Sequence, residues 1–236
     1  MRVKFLNCYV DDVGLMDSIM KIEGIIKRKK PSQHIVIYPS KINSMQKDLS
    51  LRLIVNKSPL ITTDSSTILH ASKLLKRPLK QRVSTKLLFI ELLKKCEEQG
   101  YRPYFLGSSN EVLEDVVNYV RITYPTLDIS GYHNGYFSKK DTLKVVKEIQ
   151  KSRSDILFVA FSSPKKEYWI DEYLGQLGIP FAMGVGANFD VLADEIKTKP
   201  IRRLSKKIRK LLVHSLFGNA FLLVHTLKAR VKSLSQ

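Results

Sequence analysis

The amino-acid sequence predicts an α/β protein with a doubly wound, mostly parallel, Rossmann-like sheet and a basic amphipathic helical C-terminal appendage. Short apolar runs typical of buried strands alternate with longer amphipathic segments typical of helices, which is the pattern of a parallel sheet covered on both faces. Several apolar runs end in glycine or serine, which suits the loops that follow parallel strands. The appendage is predicted from a change of composition after Glu195, the last acidic residue of the chain.

The predicted elements alternate from the N-terminus onward. Strands are predicted at residues 4–10, 33–38, 60–63, 102–106, 128–132, 156–160 and 181–185. Helices are predicted at residues 15–29, 43–55, 67–75, 86–100, 110–124, 139–150 and 166–177. Right-handed crossovers are expected between the parallel strands. The predicted domain organisation is an α/β core at residues 1–196 and the appendage at residues 197–236.

The composition is that of a globular protein. With 236 residues, of which 44% are hydrophobic and 26% charged, the chain is long enough to bury one substantial core. Cys8 and Cys96 lack metal-ligand spacing and are too few to crosslink a secreted fold, so we expect them to pack in a reducing compartment. No signal-peptide pattern is present, and polar side chains interrupt the most apolar stretch, residues 211–227. We therefore expect a cytoplasmic protein without a membrane-spanning helix.

The formal net charge of +18 indicates an anionic partner, such as a nucleic acid, an acidic membrane or a phosphorylated substrate. The appendage combines basic residues, which no carboxylate offsets, with an apolar stripe at helical spacing that suits an anionic membrane surface. Alternatively, the stripe packs on the protein's own core or supports homo-oligomers. Nucleic acid is not expected, because no RNP-like strand, zinc spacing or helix-turn-helix pattern accompanies the charge. The stripe comprises Leu204, Ile208, Leu212, Leu216, Ala220, Leu223, Leu227 and Val231.

Three predicted strands end in loops that suit a phosphate-bearing ligand. Residues 106–110, 161–164 and 183–188 are rich in glycine, serine or proline. In open α/β sheets, ligands bind outside the carboxyl ends of the strands, where glycines let backbone N–H groups approach phosphate. The alternative is that these residues only form short turns. Because no complete G-x-G-x-x-G or P-loop pattern is present, neither a dinucleotide cofactor nor ATP is indicated.

An ordered series of short motifs extends from residue 11 to residue 190, within a wider similarity that runs from about residue 5 to about residue 230. The motifs are Asp11-Asp12-Val13, Pro59-Leu60-Ile61-Thr62-Thr63-Asp64, Pro78-Leu79 with Arg82-Val83, Phe105-Leu106-Gly107, Tyr124-Pro125, Gly131-Tyr132-His133-Asn134-Gly135-Tyr136-Phe137, Asp155-Ile156-Leu157, Pro164-Lys165-Lys166-Glu167 with Trp169-Ile170, and Gly184-Val185-Gly186-Ala187-Asn188-Phe189-Asp190. In order and spacing, this series resembles the WecG/TagA/CpsF family of bacterial glycosyltransferases, which build teichoic acid linkage units, capsules and other surface polysaccharides.

The resemblance implies an inverting glycosyltransferase without a metal or other cofactor. Such an enzyme moves a hexose or, commonly, an N-acetylhexosamine from a UDP-sugar donor to a polyprenyl-diphosphate-linked acceptor sugar. It would work as a peripheral protein at the inner face of the cell membrane. The transfer requires a group that accepts the proton of the acceptor hydroxyl and positive charge that balances the leaving UDP.

Two residues match catalytic positions of the family. Asp64 matches the proposed base and directly follows a predicted strand, where a carboxylate can reach substrate. The alternative is that Asp64 only caps the helix predicted to start near Thr67. Arg82 matches an arginine near the phosphates, where a guanidinium would neutralise the leaving diphosphate, and the alternative is an ordinary surface charge.

The other predicted site residues would bind the donor. Tyr136 and Asp190 match positions near the nucleoside, where the tyrosine would stack and the aspartate would accept hydrogen bonds. Alternatively, Tyr136 packs in the core and Asp190 caps a turn. Further donor-binding residues are predicted in the loops rich in small residues, namely Gly107, Ser108, Pro164, Lys166, Gly184 and Gly186.

Several positions depart from the family pattern. Lys166 stands where a glutamine is expected, and this cation either binds diphosphate or indicates a different donor. Ser65 replaces the glycine expected after the base. Other departures occur at Ile37-Tyr38-Pro39, Leu87 and Val213-His214. These changes motivate an alternative function, a catalytically weak nucleotide-sugar-binding partner subunit of another transferase.

Overall fold

The computed structural model describes residues 1–197, which form a parallel sheet with helices on both faces and a small separate hairpin. The strands are β1 (Arg2–Phe5), β2 (Cys8–Asp11), β3 (Ser32–Ile37), β4 (Leu60–Thr63), β5 (Pro103–Gly107), β6 (Gly131–His133), β7 (Ile156–Ala160) and β8 (Phe181–Gly184). Strands β3 to β8 form a six-stranded sheet in the order β4-β3-β8-β7-β5-β6, and every neighbouring pair is parallel. The predicted α/β class with a mostly parallel sheet is confirmed.

Helices cover both faces of this sheet. They are α1 (Leu15–Arg28), α2 (Pro39–Lys47), α3 (Leu49–Lys57), α4 (Ser66–Leu74), α5 (Thr85–Gln99), α6 (Asn110–Thr123), α7 (Thr142–Ser152), α8 (Lys165–Leu177) and α9 (Asn188–Lys197). Helices α1, α5, α6 and α9 share one core with the rings of Phe89, Phe105, Phe158 and Phe189. The hairpin packs with α2, α3 and α4 in a second core, and α7 and α8 form a third. Because both faces are covered, β5, β7 and β8 are apolar at nearly every position.

The single strand predicted at residues 4–10 is wrong, because this segment forms the antiparallel hairpin of β1 and β2. A two-residue turn connects the strands, and its first residue, Leu6, has a left-handed φ of 51°. Phe5 and Cys8 are both buried. In one straight strand these residues would point to opposite faces, since side chains alternate with a period of two. The turn restores the alternation, so that both side chains pack in the same core.

The single helix predicted at residues 43–55 is also wrong, because Asp48 divides it into α2 and α3. Asp48 has extended backbone angles, and its carboxylate accepts a 2.9 Å hydrogen bond from the N–H of Leu51. Aspartate is a preferred N-cap residue, because its side chain satisfies an N–H group that the helix leaves unpaired. Pro39 starts α2 at a position where proline costs no hydrogen bond.

Helix α9 was not predicted, and it follows directly on the glycine-containing loop after β8. Its last residue, Lys197, pairs with Glu111 at 2.6 Å and with Asp115 at 2.9 Å, which fastens α9 to α6. The predicted appendage from residue 198 onward, with its apolar stripe and Val213-His214, lies outside the described residues. The appendage and the domain boundary therefore stay predictions. Within residues 1–197, no helix is long and apolar enough to span a bilayer.

Asp11 connects the hairpin to the sheet. Its carboxylate accepts hydrogen bonds of 3.0 and 2.8 Å from the guanidinium of Arg2 and one of 2.8 Å from the N–H of Ile61 in β4. Burial alone would raise the pKa of Asp11, but these bonds outweigh burial and hold the pKa below its usual range. The ionised carboxylate therefore stabilises the folded state.

We expect Asp11→Asn to lower the free energy of unfolding at pH 7 by about 1–3 kcal/mol, the usual cost of leaving buried hydrogen-bonding groups unpaired. Because the folded pKa is depressed, this contribution exists above the unfolded value of about 3.9 and is lost as the pH falls through the folded value. Urea unfolding should therefore separate the two proteins at pH 7 and bring them together in acid. Glu114→Gln, which changes an exposed carboxylate, is the control. Equal stability of Asp11→Asn and the native protein at pH 7 would contradict this role.

Candidate active site

The loops that carry the predicted site residues lie along the carboxyl edge of the six-stranded sheet. They are residues 64–65 after β4, 108–109 after β5, 134–141 after β6, 161–164 after β7 and 185–187 after β8. With about 4.8 Å between neighbouring strands, the ends of β4 and β8 are about 10 Å apart, whereas β4 and β6 are about 24 Å apart. The fold therefore brings Asp64 close to the loop after β8 and leaves the strand before Tyr136 at the opposite side.

Asp64 is half-buried between the end of β4 and the start of α5. Its Oδ2 accepts a 2.9 Å hydrogen bond from the N–H of Thr85, the first residue of α5. Asp64 does not cap α4, whose N-cap residue is Ser65 and has no side-chain capping bond. Burial raises the pKa of Asp64, and the Thr85 N–H and the charge of Arg82 offset only part of that effect. A carboxylate with a raised pKa accepts a proton more readily than an ordinary aspartate does.

Arg82 is exposed on the loop that connects α4 with α5. The next residue, Val83, is buried, and its N–H donates a 2.8 Å hydrogen bond to the carbonyl oxygen of Thr63, the last residue of β4. This bond holds the loop beside Asp64, so that the charge of Arg82 acts on the pKa of that carboxyl. The structure thus places the predicted base and the predicted arginine at the same corner of the sheet edge.

Lys166 belongs to a buried cluster of charges near the middle of the edge. Its Nζ lies 3.4 Å from Oε1 of Glu167, and the Nζ of Lys41 lies 2.5 Å from the same oxygen. The side chains of Lys41 and Glu167 are each 2% exposed, and that of Lys166 is 14% exposed. Burial and the repulsion of Lys41 lower the pKa of Lys166 to about 8, although Glu167 acts in the opposite direction. Two ammonium groups share one carboxylate, which leaves positive charge for an anionic ligand.

Gly184 leaves the space that the Lys166 side chain occupies, and Gly186 lies beside the ammonium group of Lys166. A Cβ atom added to Gly184 would lie 2.6 Å from Cδ of Lys166, so the lysine side chain runs directly over the end of β8. Gly186 has a left-handed φ of 56°, and a Cβ added there would lie 3.9 Å from Nζ of Lys166. The ammonium group is therefore beside the loop where the sequence predicts donor binding.

Gly107 and Ser108 form a tight connection between β5 and α6. Gly107 has a φ of 121°, and an added Cβ would lie 2.9 Å from backbone atoms of Ala160, so only glycine fits there. Ser108 also has a positive φ, 58°, and its carbonyl oxygen accepts a 2.9 Å hydrogen bond from the N–H of Gly135. Because of this bond, the loop after β6 folds back toward β5 and β7.

Tyr136 and Asp190 differ in their surroundings. The side chain of Tyr136 is 82% exposed, so it does not pack in the core, and a ring in this position is accessible for stacking. Its N–H donates a 2.8 Å hydrogen bond to the side chain of Asn134. Asp190 is half-buried in the first turn of α9, where a carboxylate interacts favourably with the helix dipole. Pro164 is exposed and immediately precedes α8.

The sequence of this chain matches a known protein family. The model of the glycosyl transferase WecG/TagA/CpsF family matches residues 3–211. The chain belongs to this family. A relative from Bacillus spizizenii (strain W23) is 31% identical over 147 residues, which are 62% of this chain and 56% of the relative. A relative from Staphylococcus aureus (strain NCTC 8325) is 26% identical over 201 residues, 84% of this chain and 78% of the relative.

Both relatives carry the name N-acetylglucosaminyldiphosphoundecaprenol N-acetyl-beta-D-mannosaminyltransferase. Membership of the WecG/TagA/CpsF family confirms the predicted family and the predicted enzyme class, a glycosyltransferase. The chain spans little more than half the length of the Bacillus relative. The roles of the individual site residues stay predictions, as does the absence of a cofactor. Among residues 1–197, no three His, Cys, Asp or Glu side chains gather in a group that could hold a metal ion.

Sequence analysis did not predict several residues that contact the predicted site residues. It gave no role to Thr85, which binds Asp64 and whose hydroxyl lies 3.1 Å from the hydroxyl of Tyr38. It also missed Lys41, because lysine on an amphipathic helix usually faces solvent and no local pattern shows its burial. Glu167 was part of a recognised motif, but its pairing with a lysine 126 positions away is a property of the fold.

Proposed function

We propose that this protein is an inverting glycosyltransferase that moves N-acetylmannosamine from a UDP-sugar to N-acetylglucosaminyl-diphospho-polyprenol. The observation that carries the proposal is the half-buried carboxylate of Asp64, whose pKa is raised and which lies beside Arg82 at the sheet edge of a family glycosyltransferase. The transferred sugar and the acceptor are taken from the names of the two relatives. The UDP moiety is taken from the motif resemblance.

On the acceptor side, Asp64 takes the proton of the acceptor hydroxyl while the oxygen of that hydroxyl forms a bond to the anomeric carbon of the donor. The bond between that carbon and the diphosphate oxygen breaks, and UDP leaves with the electron pair. Attack from the side opposite UDP inverts the anomeric carbon. The Thr85 N–H keeps the Asp64 carboxylate in one orientation throughout.

On the donor side, the diphosphate lies over the ends of β8 and β7, against Lys166 and the backbone at Gly184 and Gly186. Arg82 approaches from the β4 side and balances the charge that develops on the leaving UDP. The rest of the nucleotide is bound by the remaining predicted contacts, which are Gly107, Ser108, Tyr136, Pro164 and Asp190. In this arrangement, protein cations supply the charge compensation.

A lipid-linked acceptor would bring the reaction to a membrane surface. Residues 197–236 contain lysine and arginine but no aspartate or glutamate. We propose that this segment attaches the enzyme to anionic lipid at the inner face of the membrane, because polybasic segments with apolar residues bind such surfaces. Self-association through the same segment stays a prediction.

The proposal is tested by incubating the full chain with radiolabelled UDP-N-acetylmannosamine and a short-chain polyprenyl-diphospho-N-acetylglucosamine, with and without EDTA. We expect a lipid-linked disaccharide to form at the same rate in both, because Arg82 and Lys166 provide the cations. UDP-N-acetylglucosamine and UDP-glucose serve as comparison donors. Transfer from one of these alone would overturn the sugar assignment and keep the transferase.

A second candidate function is the catalytically weak partner subunit, and Lys166 in place of the expected glutamine is the observation that favours it. Donor binding without transfer from any UDP-sugar, in the presence of competent acceptor, would support that function. Transfer by the isolated chain would exclude it.

A further inference from the structure

The cluster around Glu167 joins two helices that begin at the carboxyl edge. Lys41 comes from α2, which follows β3, and Glu167 comes from α8, which follows β7. The Nζ of Lys41 also donates a 2.7 Å hydrogen bond to the carbonyl oxygen of Val36, and the Ser163 hydroxyl donates one of 3.0 Å to Oε2 of Glu167. Both members of the Lys41–Glu167 pair are therefore satisfied inside the protein.

Lys166 is the member of this cluster whose charge is least satisfied. Its Nζ has a 3.4 Å contact with Glu167, on an oxygen that Lys41 approaches to 2.5 Å. A buried ion pair contributes little to stability compared with apolar residues of the same volume, and a second buried cation adds repulsion. Stability alone gives no reason for this arrangement, whereas an anionic ligand at the edge would balance the excess positive charge.

We propose that the buried Lys41–Glu167 pair is a positioning device that holds Lys166 against Gly184 and Gly186 as the cation that receives the donor diphosphate. This inference rests on the proposed function, because it takes a UDP-sugar as the ligand. Lys166 contacts the ligand, and Lys41 and Glu167 act through Lys166. Lys41 lowers the pKa of Lys166 by repulsion. Glu167 holds the ammonium group of Lys166 in place by attraction.

A consequence of this arrangement is that donor binding depends on pH. The charged groups that act on Lys166 are Lys41 from α2 and Glu167 from α8, while β8 contributes glycine and the loop after β7 the neutral Ser163. Since the pKa of Lys166 is about 8, much of this lysine lacks its proton at pH 8 when no ligand is bound. An anion favours the charged form, so binding takes up a proton, and affinity decreases as the pH rises through this range.

The first measurement is calorimetric titration of the full chain with UDP-N-acetylmannosamine at pH 8 in two buffers of different ionisation enthalpy. The buffer dependence of the heat gives the number of protons taken up. We expect the native protein to take up on the order of half a proton per ligand, as a group near its pKa does when an anion binds. Lys166→Gln should bind the same ligand more weakly and without this uptake, which controls for ionisation of the ligand itself.

Two further variants separate positioning from a purely structural role. Lys41→Met removes the repulsion and should move the pH midpoint of donor affinity upward, by about one pH unit. Glu167→Gln removes the attraction and should move the midpoint downward. General damage to the fold would not shift the midpoint in opposite directions. Lys47→Met, an exposed lysine on the same helix, should leave the midpoint unchanged, and thermal unfolding verifies that each variant folds.

The outcomes distinguish this inference from the function on which it rests. If no UDP-sugar binds the native protein at any pH, the proposed function fails and the inference fails with it. If the donor binds without proton uptake, or with the same uptake in Lys166→Gln, only the inference is overturned. The comparison of the native protein with Lys166→Gln can overturn the inference even if a variant of the buried pair does not fold.

Discussion

Replacing Asp64 with asparagine is expected to remove most sugar transfer while the protein stays folded and binds the donor. A positioned general base contributes about 10²- to 10⁴-fold to the rate, and an amide cannot accept the proton. The asparagine Oδ1 can still accept the hydrogen bond that Thr85 donates at 2.9 Å, so the loop after β4 should keep its place. We therefore expect kcat to fall by about 10²- to 10⁴-fold with unchanged donor affinity, measured by initial rates and by calorimetry.

The stability of Asp64→Asn provides an independent test. Burial raises the pKa of Asp64, so the folded state disfavours its charged form, and at neutral pH the carboxylate destabilises the fold. The variant should unfold at the same or a higher urea concentration than the native protein. Asp48→Asn, which also exchanges a carboxylate for an amide that can cap a helix, should keep full activity. Undiminished transfer by Asp64→Asn would remove Asp64 from the mechanism.

The parallel sheet could be predicted from the sequence because its central strands β5, β7 and β8 are buried on both faces and contain few polar residues. Strand β7 was predicted at its observed bounds for this reason. The errors occur where one residue outweighs the pattern around it. At Asp48 a side chain competes for helix N–H groups, and at Leu6 a two-residue turn reverses the chain. The spacing of apolar residues does not reveal either effect, since the elements on both sides of each residue keep their own periodicity.

The candidate site, too, could be predicted from the sequence only in part. Residues that follow strands, such as Asp64 and Gly186, could be placed at one edge from the fold class, because parallel strands all end there. The partners that orient the site residues or change their pKa could not be predicted in this way. The Thr85 N–H is available to Asp64 because of where α5 begins, and Lys41 meets Glu167 because α2 and α8 follow strands that flank β8. Such contacts depend on three-dimensional packing between distant segments, and the single sequence carries no local sign of them.

Arg82→Gln is the second substitution with a large expected effect. The charge on UDP develops only as its bond to the sugar breaks, so a cation placed there lowers the barrier more than it strengthens ground-state binding. Loss of one such group commonly costs about 10²- to 10³-fold in kcat, and we expect a decrease of this size with a small change in KM. Because Arg82 is exposed, the free energy of unfolding should change by less than about 0.5 kcal/mol. Lys80→Gln, the same loss of charge on the same exposed loop, is the control.

The pH profile of Arg82→Gln separates two roles of the guanidinium. Arg82 lowers the pKa of Asp64, so its removal should raise that pKa further above the usual value. A base must be deprotonated to act, and the acid limb of kcat/KM should therefore move to higher pH in the variant. A lower plateau of kcat/KM shows that the leaving group has lost a stabilising positive charge. A shifted acid limb shows that the base has lost a neighbouring positive charge. Lys80→Gln should change neither, and a native plateau with a native limb in Arg82→Gln would place Arg82 outside the site.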